Sequence, residues 1–342
     1  MCIRDRDKRG LVLCFNRPLA TYLKVQLADY ANLAVQTFHQ MAFRFGFDQR
    51  NWDEEFGGQL KAAILQREER YDFVLIDEAQ DFDPDWFACV VALTKGQDEA
   101  DIFITGDGSQ GLYRHRTRGF SWISKGVQAQ GRTEYLSENY RNAAKIYQLA
   151  TRFSGSSAFG EIEGGANAVG DAQSRSVASG GDIFVIQEKD RAGEISKVVD
   201  LVSQLLTGKS EPASKAGTPI HFADIGIIYP THKNQETLIS GLLLPRIKTE
   251  CNVPVVWVSD PSGGNRSNFS PAVRIQTVHH AKGLQYRAVI FMWADLLPFA
   301  QGRDAEQDRK LFYVALTRAT QLLAIVHSGH SSFVAETYRA IE

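Results

Sequence analysis

The stretch YDFVLIDEAQD, residues 71–81, decides the fold class. Phe73, Val74, Leu75 and Ile76 form a continuous apolar run that stops on two adjacent carboxylates, Asp77 and Glu78. An apolar run without alternation reads as a strand buried on both faces, as in parallel sheets. In open α/β sheets, ligands sit beyond the carboxyl ends of such strands. Asp77 is thereby placed where a divalent metal could be held, and Glu78 where a water could be oriented or deprotonated. The plainer alternative is a strand that ends in a solvated acidic turn.

Similar strands recur on either side, separated by helical stretches. Gly10–Phe15, Leu33–Gln36 and Asp101–Thr105 read as strands, with helices over about 19–29 and 59–70 and from Pro84, where Asp83 is the expected cap. After a Gly/Ser/Ala-rich loop at 154–181, the alternation resumes: strands 183–186, 225–229, 255–258, 273–276, 288–293 and 322–327, with helices 191–206, 234–247 and 304–319. A second loop covers 259–271. Two successive runs of strand and helix predict an α/β protein of two parallel-sheet domains, 7–131 and 132–342.

Composition agrees with a soluble globular protein: of 342 residues, 44% are hydrophobic and 23% charged. The net charge of −2 gives no global basic field, which leaves only a local groove for nucleic acid. Cys2, Cys14, Cys89 and Cys251 are scattered, with neither metal spacing nor a disulfide framework, so the cytoplasm is the expected compartment. No run is long enough to span a membrane, and no membrane partner is expected.

Four further clusters fall at strand ends or turns. Gly106-Asp107-Gly108-Ser109-Gln110 offers a tight turn and an amide that can bond a phosphate oxygen and a water. Leu136–Asn142 (LSENYRN) and Tyr313–Ala319 (YVALTRA) each carry one arginine, Arg141 and Arg318, whose guanidinium can fork onto phosphate. The plain alternatives are a helix-start ion pair for Arg141 and a solvated helix position for Arg318. Thr277–Gln285 (TVHHAKGLQ) groups hydroxyl, imidazole and ammonium suited to a phosphodiester backbone, and Thr37-Phe38-His39 repeats the theme. Against these stand a capped helix start at Thr277, and Thr37 as helix cap with Phe38 in the core. Gly208-Lys209-Ser210 looks like the end of a phosphate loop, but it follows a helical stretch and has Ser at 203, where the loop needs Gly.

In order and content these clusters resemble the UvrD/Rep-like branch of superfamily-one helicases, from about residue 10 to residue 328. DEAQD, GDGSQGLYR, LSENYRN, TVHHAKGLQ and LFYVALTRA correspond to five successive family motifs, and LVLCFNRPLA and VQTFH to two early DNA-contacting ones. The resemblance implies two RecA-like domains that use ATP and Mg²⁺ to move, usually 3′ to 5′, on single-stranded DNA, with RNA left open. It implies Asp77 as metal holder, Glu78 as activator of water, Gln110 as γ-phosphate sensor, and Arg141 and Arg318 as arginine fingers, with Gly283 and Gln285 beside the nucleotide. Asn16, Thr37, Phe38, His39, Tyr113, His115, Thr277 and His279 would line the nucleic-acid track. Gln285 stands where the family usually has Glu, and His115 where many members carry an aromatic residue. The phosphate loop G-x-x-x-x-G-K-[S/T] and the glutamine motif before it do not occur in the sequence. Residues 1–6, MCIRDR, resemble translated adapter sequence. Together these predict a chain truncated at its N-terminus, with an incomplete first domain and no ATPase of its own. Two other classes stay open: a nucleic-acid-binding module without hydrolysis, and a different P-loop NTPase.

Overall fold

The computed structural model describes residues 7–48, 55–96, 100–106, 126–129, 131–132, 134, 138–154, 175–176, 178–208, 219–231, 235–262, 270–299 and 305–341. They form two compact units, one from the described residues up to 134 and one from those at 138 onward. Gln110, Tyr113 and His115 lie outside the described residues, as does most of the expected loop at 154–181.

The first unit is built on β1 (Gly10–Cys14), β2 (Leu33–Thr37), β3 (Phe73–Ile76) and β4 (Ile102–Ile104), in the order β2-β1-β3-β4. All pairs are parallel, with Val12 registered against both Val35 and Leu75. β1 is buried along its whole length, which is why GLVLC shows no alternation. Leu11 and Leu13 point into a core with Phe38, Met41, Leu60, Ile64 and Phe87, whereas Cys14 joins Leu19 and Ala20 on the other face. Because the strands are parallel, Asn16, Thr37, Asp77 and Thr105 all lie at or just past carboxyl ends along one edge of the sheet.

The second unit holds β7 (Asp182–Gln187), β8 (Ile225–Tyr229), β9 (Val255–Trp257), β10 (Val273–Thr277), β11 (Tyr286–Met292) and β12 (Ala319–His327). They order β7-β12-β11-β8-β10-β9, again all parallel. A two-stranded pair, β5 (Glu138–Asn139) with β6 (Arg175–Ser176), stands apart. The helix Arg191–Thr207 ends on Gly208 at φ 67°, the left-handed cap that glycine accepts most easily, so this glycine is a helix stop. Glu194 of that helix is fully buried and accepts from Trp293 N (3.0 Å) and Ser328 Oγ (2.6 Å), which ties the helix to the ends of β11 and β12.

Among the boundaries that differ from the sequence expectation, one bears on the candidate site. The helix expected over 304–319 ends at Leu316, and β12 begins at Ala319. Thr317 Oγ1 donates back to the Val314 carbonyl (3.1 Å), and the carbonyls of Thr317 and Ala319 are taken by the Asn142 amide instead of a continuing helix. Arg318 is therefore a turn residue, and it is fully buried.

Candidate active site

In the first unit, Asp77 continues the line of β3. Its N–H donates to the Leu13 carbonyl (2.9 Å), and its Oδ1 accepts from Glu78 N (2.9 Å) and Thr105 Oγ1 (2.8 Å). Glu78 then takes φ 57°, ψ 43°, left-handed backbone that a residue with a Cβ adopts only under constraint. The constraint is visible: Thr105 N donates to Ile76 O (2.8 Å) and Ala79 N to Thr105 O (3.0 Å), closing the turn onto the neighbouring strand. The two adjacent carboxylates take different partners, Thr105 for Asp77 and Gln80 for Glu78. Glu78 accepts a short bond from Gln80 Nε2, and both acids stay half-exposed. Among the described residues no three His, Cys, Asp or Glu side chains converge as a metal cage. One half-exposed, oriented carboxylate suits Mg²⁺, which is usually held by one or two carboxylates together with substrate phosphates.

At the neighbouring strand ends, the candidate nucleic-acid residues are largely engaged inside the unit. Asn16 Oδ1 caps the helix Arg17–Gln26 by accepting from Leu19 N (2.7 Å). Thr37 and Gln40 form a reciprocal capping box (3.1 and 2.9 Å). Phe38 is 0% exposed and stacks on Trp86, with ring centroids 4.1 Å apart. His39 is half-buried, edge-on to Phe15 (5.4 Å) and Trp86 (5.3 Å). Burial, and then the Arg17 charge, lower its pKa to about 4, so it is a neutral imidazole near pH 7.

The second unit repeats the theme. Thr277, at the carboxyl end of β10, caps the short helix Val278–Ala281, its Oγ1 lying 2.9 Å from His280 Nδ1. Val278 is buried and His279 half-buried. Gly283 has φ 78°, a left-handed turn after the helix, and Gln285 is exposed beside it. At the opposite, amino-terminal edge lie the two arginines. Arg141 is exposed on a turn whose amides, Arg141 N and Asn142 N, donate to Asn139 Oδ1 (2.8 and 3.0 Å). Arg318 donates from Nε to Val314 O (3.0 Å), from Nη1 to Leu284 O (3.3 Å) and from Nη2 to Thr317 Oγ1 (3.0 Å). Leu284 belongs to the TVHHAKGLQ segment, so that cluster and the YVALTRA cluster meet at this guanidinium. Asn142 joins the LSENYRN turn to the same place.

Sequence reasoning passed over Thr105, Asn139, Asn142 and Trp86. Thr105 sits just before the GDGSQ segment and the two asparagines lie inside LSENYRN, but only the strand order reveals their partners.

Comparison with known proteins bears on both units. The UvrD/REP helicase N-terminal domain matches residues 17–126, and the UvrD-like helicase C-terminal domain matches residues 272–326. Among solved structures, the C-terminal domain of a possible DNA helicase from Lactobacillus plantarum WCFS1 is 18% identical, over 58% of this chain and 94% of that one, at a TM-score of 0.36. None of the curated proteins matches. The first domain match takes in Thr37–His39 and the Asp77–Glu78 pair, the second takes in Thr277 and Arg318, and the two domain matches together support a UvrD/Rep-like helicase.

Proposed function

We propose that the protein works as an ATP-dependent helicase or translocase on single-stranded nucleic acid, DNA in preference to RNA, with 3′-to-5′ movement. The observation that supports this best is the division of the acid pair. Asp77 is held by Thr105, and Glu78, at φ 57° on the next residue, is held by Gln80, which suits one carboxylate to a metal and the other to a water.

In this reading Asp77 would hold Mg²⁺, which when bound neutralises charge on the nucleotide phosphates. Glu78 would accept the proton of the attacking water, with its carboxylate pre-positioned by Gln80. Gln110 would read the terminal phosphate, and Arg141 and Arg318 would offset the charge that develops on it. Arg318 would exchange its bond to the Leu284 carbonyl for phosphate, so nucleotide contact and the TVHHAKGLQ segment would be coupled. Gly283 and Gln285 would border the nucleotide. Nucleic acid would run past Asn16, Thr37–His39, Tyr113, His115, Thr277 and His279. With Thr37, Phe38 and Thr277 buried, their share would come through main-chain groups and the half-buried His39 and His279.

The test is ATP turnover with and without a single-stranded oligonucleotide, in a form of the protein that carries a phosphate loop. Turnover should rise with the oligonucleotide. Hydrolysis indifferent to it would point to a different NTPase, and oligonucleotide binding without hydrolysis to a binding module. The 342-residue sequence holds no G-x-x-x-x-G-K-[S/T], and negligible turnover is expected from it alone.

A further inference from the structure

The two candidate arginines are far apart in sequence, yet one side chain ties their turns together. Asn142 is 1% exposed. Its Nδ2 donates to the carbonyl of Thr317 (2.8 Å) and to that of Ala319 (2.7 Å), the residues on either side of Arg318. Its Oδ1 receives Asn139 Nδ2 (3.2 Å), and Asn139 Oδ1 in turn holds the N–H of Arg141. Ala143 N adds a backbone bond to Thr320 O (2.9 Å). Thr317 completes the circuit, because its carbonyl meets Asn142 while its hydroxyl accepts from Arg318.

Apolar packing alone would join these segments without fixing their register. A buried amide that spends both N–H groups on the carbonyls flanking one residue sets both the position and the rotation of that residue. We propose that Asn142 is a positioning residue that registers Arg141 against Arg318 so that both guanidiniums take the same polyphosphate. The inference rests on the phosphate-binding reading of the two arginines given above. No step of the chemistry passes through Asn142 itself.

The test uses the 342-residue chain, inorganic tripolyphosphate without metal as the probe, and NMR of ¹⁵N-labelled arginine side chains. Arg141 and Arg318 are assigned with Arg141→Lys and Arg318→Lys. In the unsubstituted chain both Nε–H signals should move with a single midpoint. Asn142→Asp turns the amide donor into a carboxylate facing two carbonyls. It should separate the two midpoints, or raise the shared one by about tenfold, the loss expected of a hydrogen bond or two. Should Asn142→Asp not fold, Asn142→Ser keeps a small polar group that cannot reach both carbonyls, and the same separation is expected. If neither arginine responds in the unsubstituted chain, the phosphate reading itself fails. If both respond together and Asn142→Asp leaves the shared midpoint in place, the arginines stand and the positioning role of Asn142 falls.

Discussion

Thr105 Oγ1 lies 2.8 Å from Asp77 Oδ1, a side-chain bond between the ends of neighbouring strands β3 and β4. It fixes which face the Asp77 carboxylate presents. Partners of this kind behind a metal ligand are commonly worth ~10–100-fold in metal affinity. Thr105→Val removes the hydroxyl and keeps the shape and both backbone bonds. It should weaken Mn²⁺ binding, followed by the EPR signal of free Mn²⁺, by about tenfold, and Thr105→Ser should restore it. Undiminished Mn²⁺ affinity in Thr105→Val would leave the hydroxyl with no part in metal binding.

His39 predicts a pH dependence. Its folded-state pKa, lowered to about 4 by burial and by Arg17, lies below the ordinary 6.5. The unfolded chain therefore gains a proton below about pH 6.5 that the folded chain takes up only near pH 4. Stability of the first unit is fully present above the ordinary value and falls as pH drops through this window, by on the order of 2–3 kcal/mol at the acid end. His39→Gln should flatten that part of the urea-unfolding profile. The imidazole should titrate with a midpoint near 4 by NMR, and a midpoint near 6.5 would refute the desolvated setting.

How much was legible in the sequence follows from the range of each interaction. The strand 73–76 announced itself because a doubly buried parallel strand is apolar throughout, and the Asp83 cap before Pro84 is a local signal. The seven ordered clusters carried the family. The plain alternative for Arg318, a solvated helix position, fails because the helix expected over 304–319 ends at Leu316 and the residue is buried. What stops that helix, Asn142, lies 175 residues from Thr317. In the sequence Thr105 reads as a strand end, since its bond to Asp77 exists only once β4 is known to lie beside β3. Local propensity gave the elements, and the long-range polar bonds that hold the candidate site needed the folded topology.

Two glycines of the second unit should respond oppositely to alanine. A Cβ on Gly226 would lie 2.5 Å from the Tyr286 ring, which is buried and bonded to Gln276 Nε2 (2.6 Å). The ring cannot yield, because the N–H of Tyr286 is itself held by the Arg318 carbonyl (2.9 Å). Gly226→Ala should cost about 1–3 kcal/mol in thermal unfolding, the usual penalty of overpacking. Gly241, in a helical segment, meets nothing within 4 Å of its would-be Cβ. Gly241→Ala should be neutral or stabilise by up to about 1 kcal/mol. Equal effects at the two sites would contradict the packing of Tyr286 on β8.

Arg318→Lys separates charge from geometry at the buried guanidinium. Lysine keeps the positive charge, but it presents a single ammonium where the structure shows three nitrogens bonded to Val314 O, Leu284 O and Thr317 Oγ1. An arginine on a phosphoryl group undergoing transfer contributes ~10³–10⁵ to turnover in other NTPases. In a form of the protein carrying a phosphate loop, Arg318→Lys should therefore lower oligonucleotide-stimulated ATP turnover by about a thousandfold or more. Affinity for the oligonucleotide should hold within about twofold, because the arginine lies at the amino end of β12, and Thr277 and His279 follow the carboxyl end of β10. Thermal unfolding sets the control, since losing bonds to buried carbonyls also costs stability. A variant that melts early but hydrolyses ATP normally would make Arg318 a purely structural residue. One that folds normally, binds the strand and fails to turn over would place the guanidinium on the phosphate.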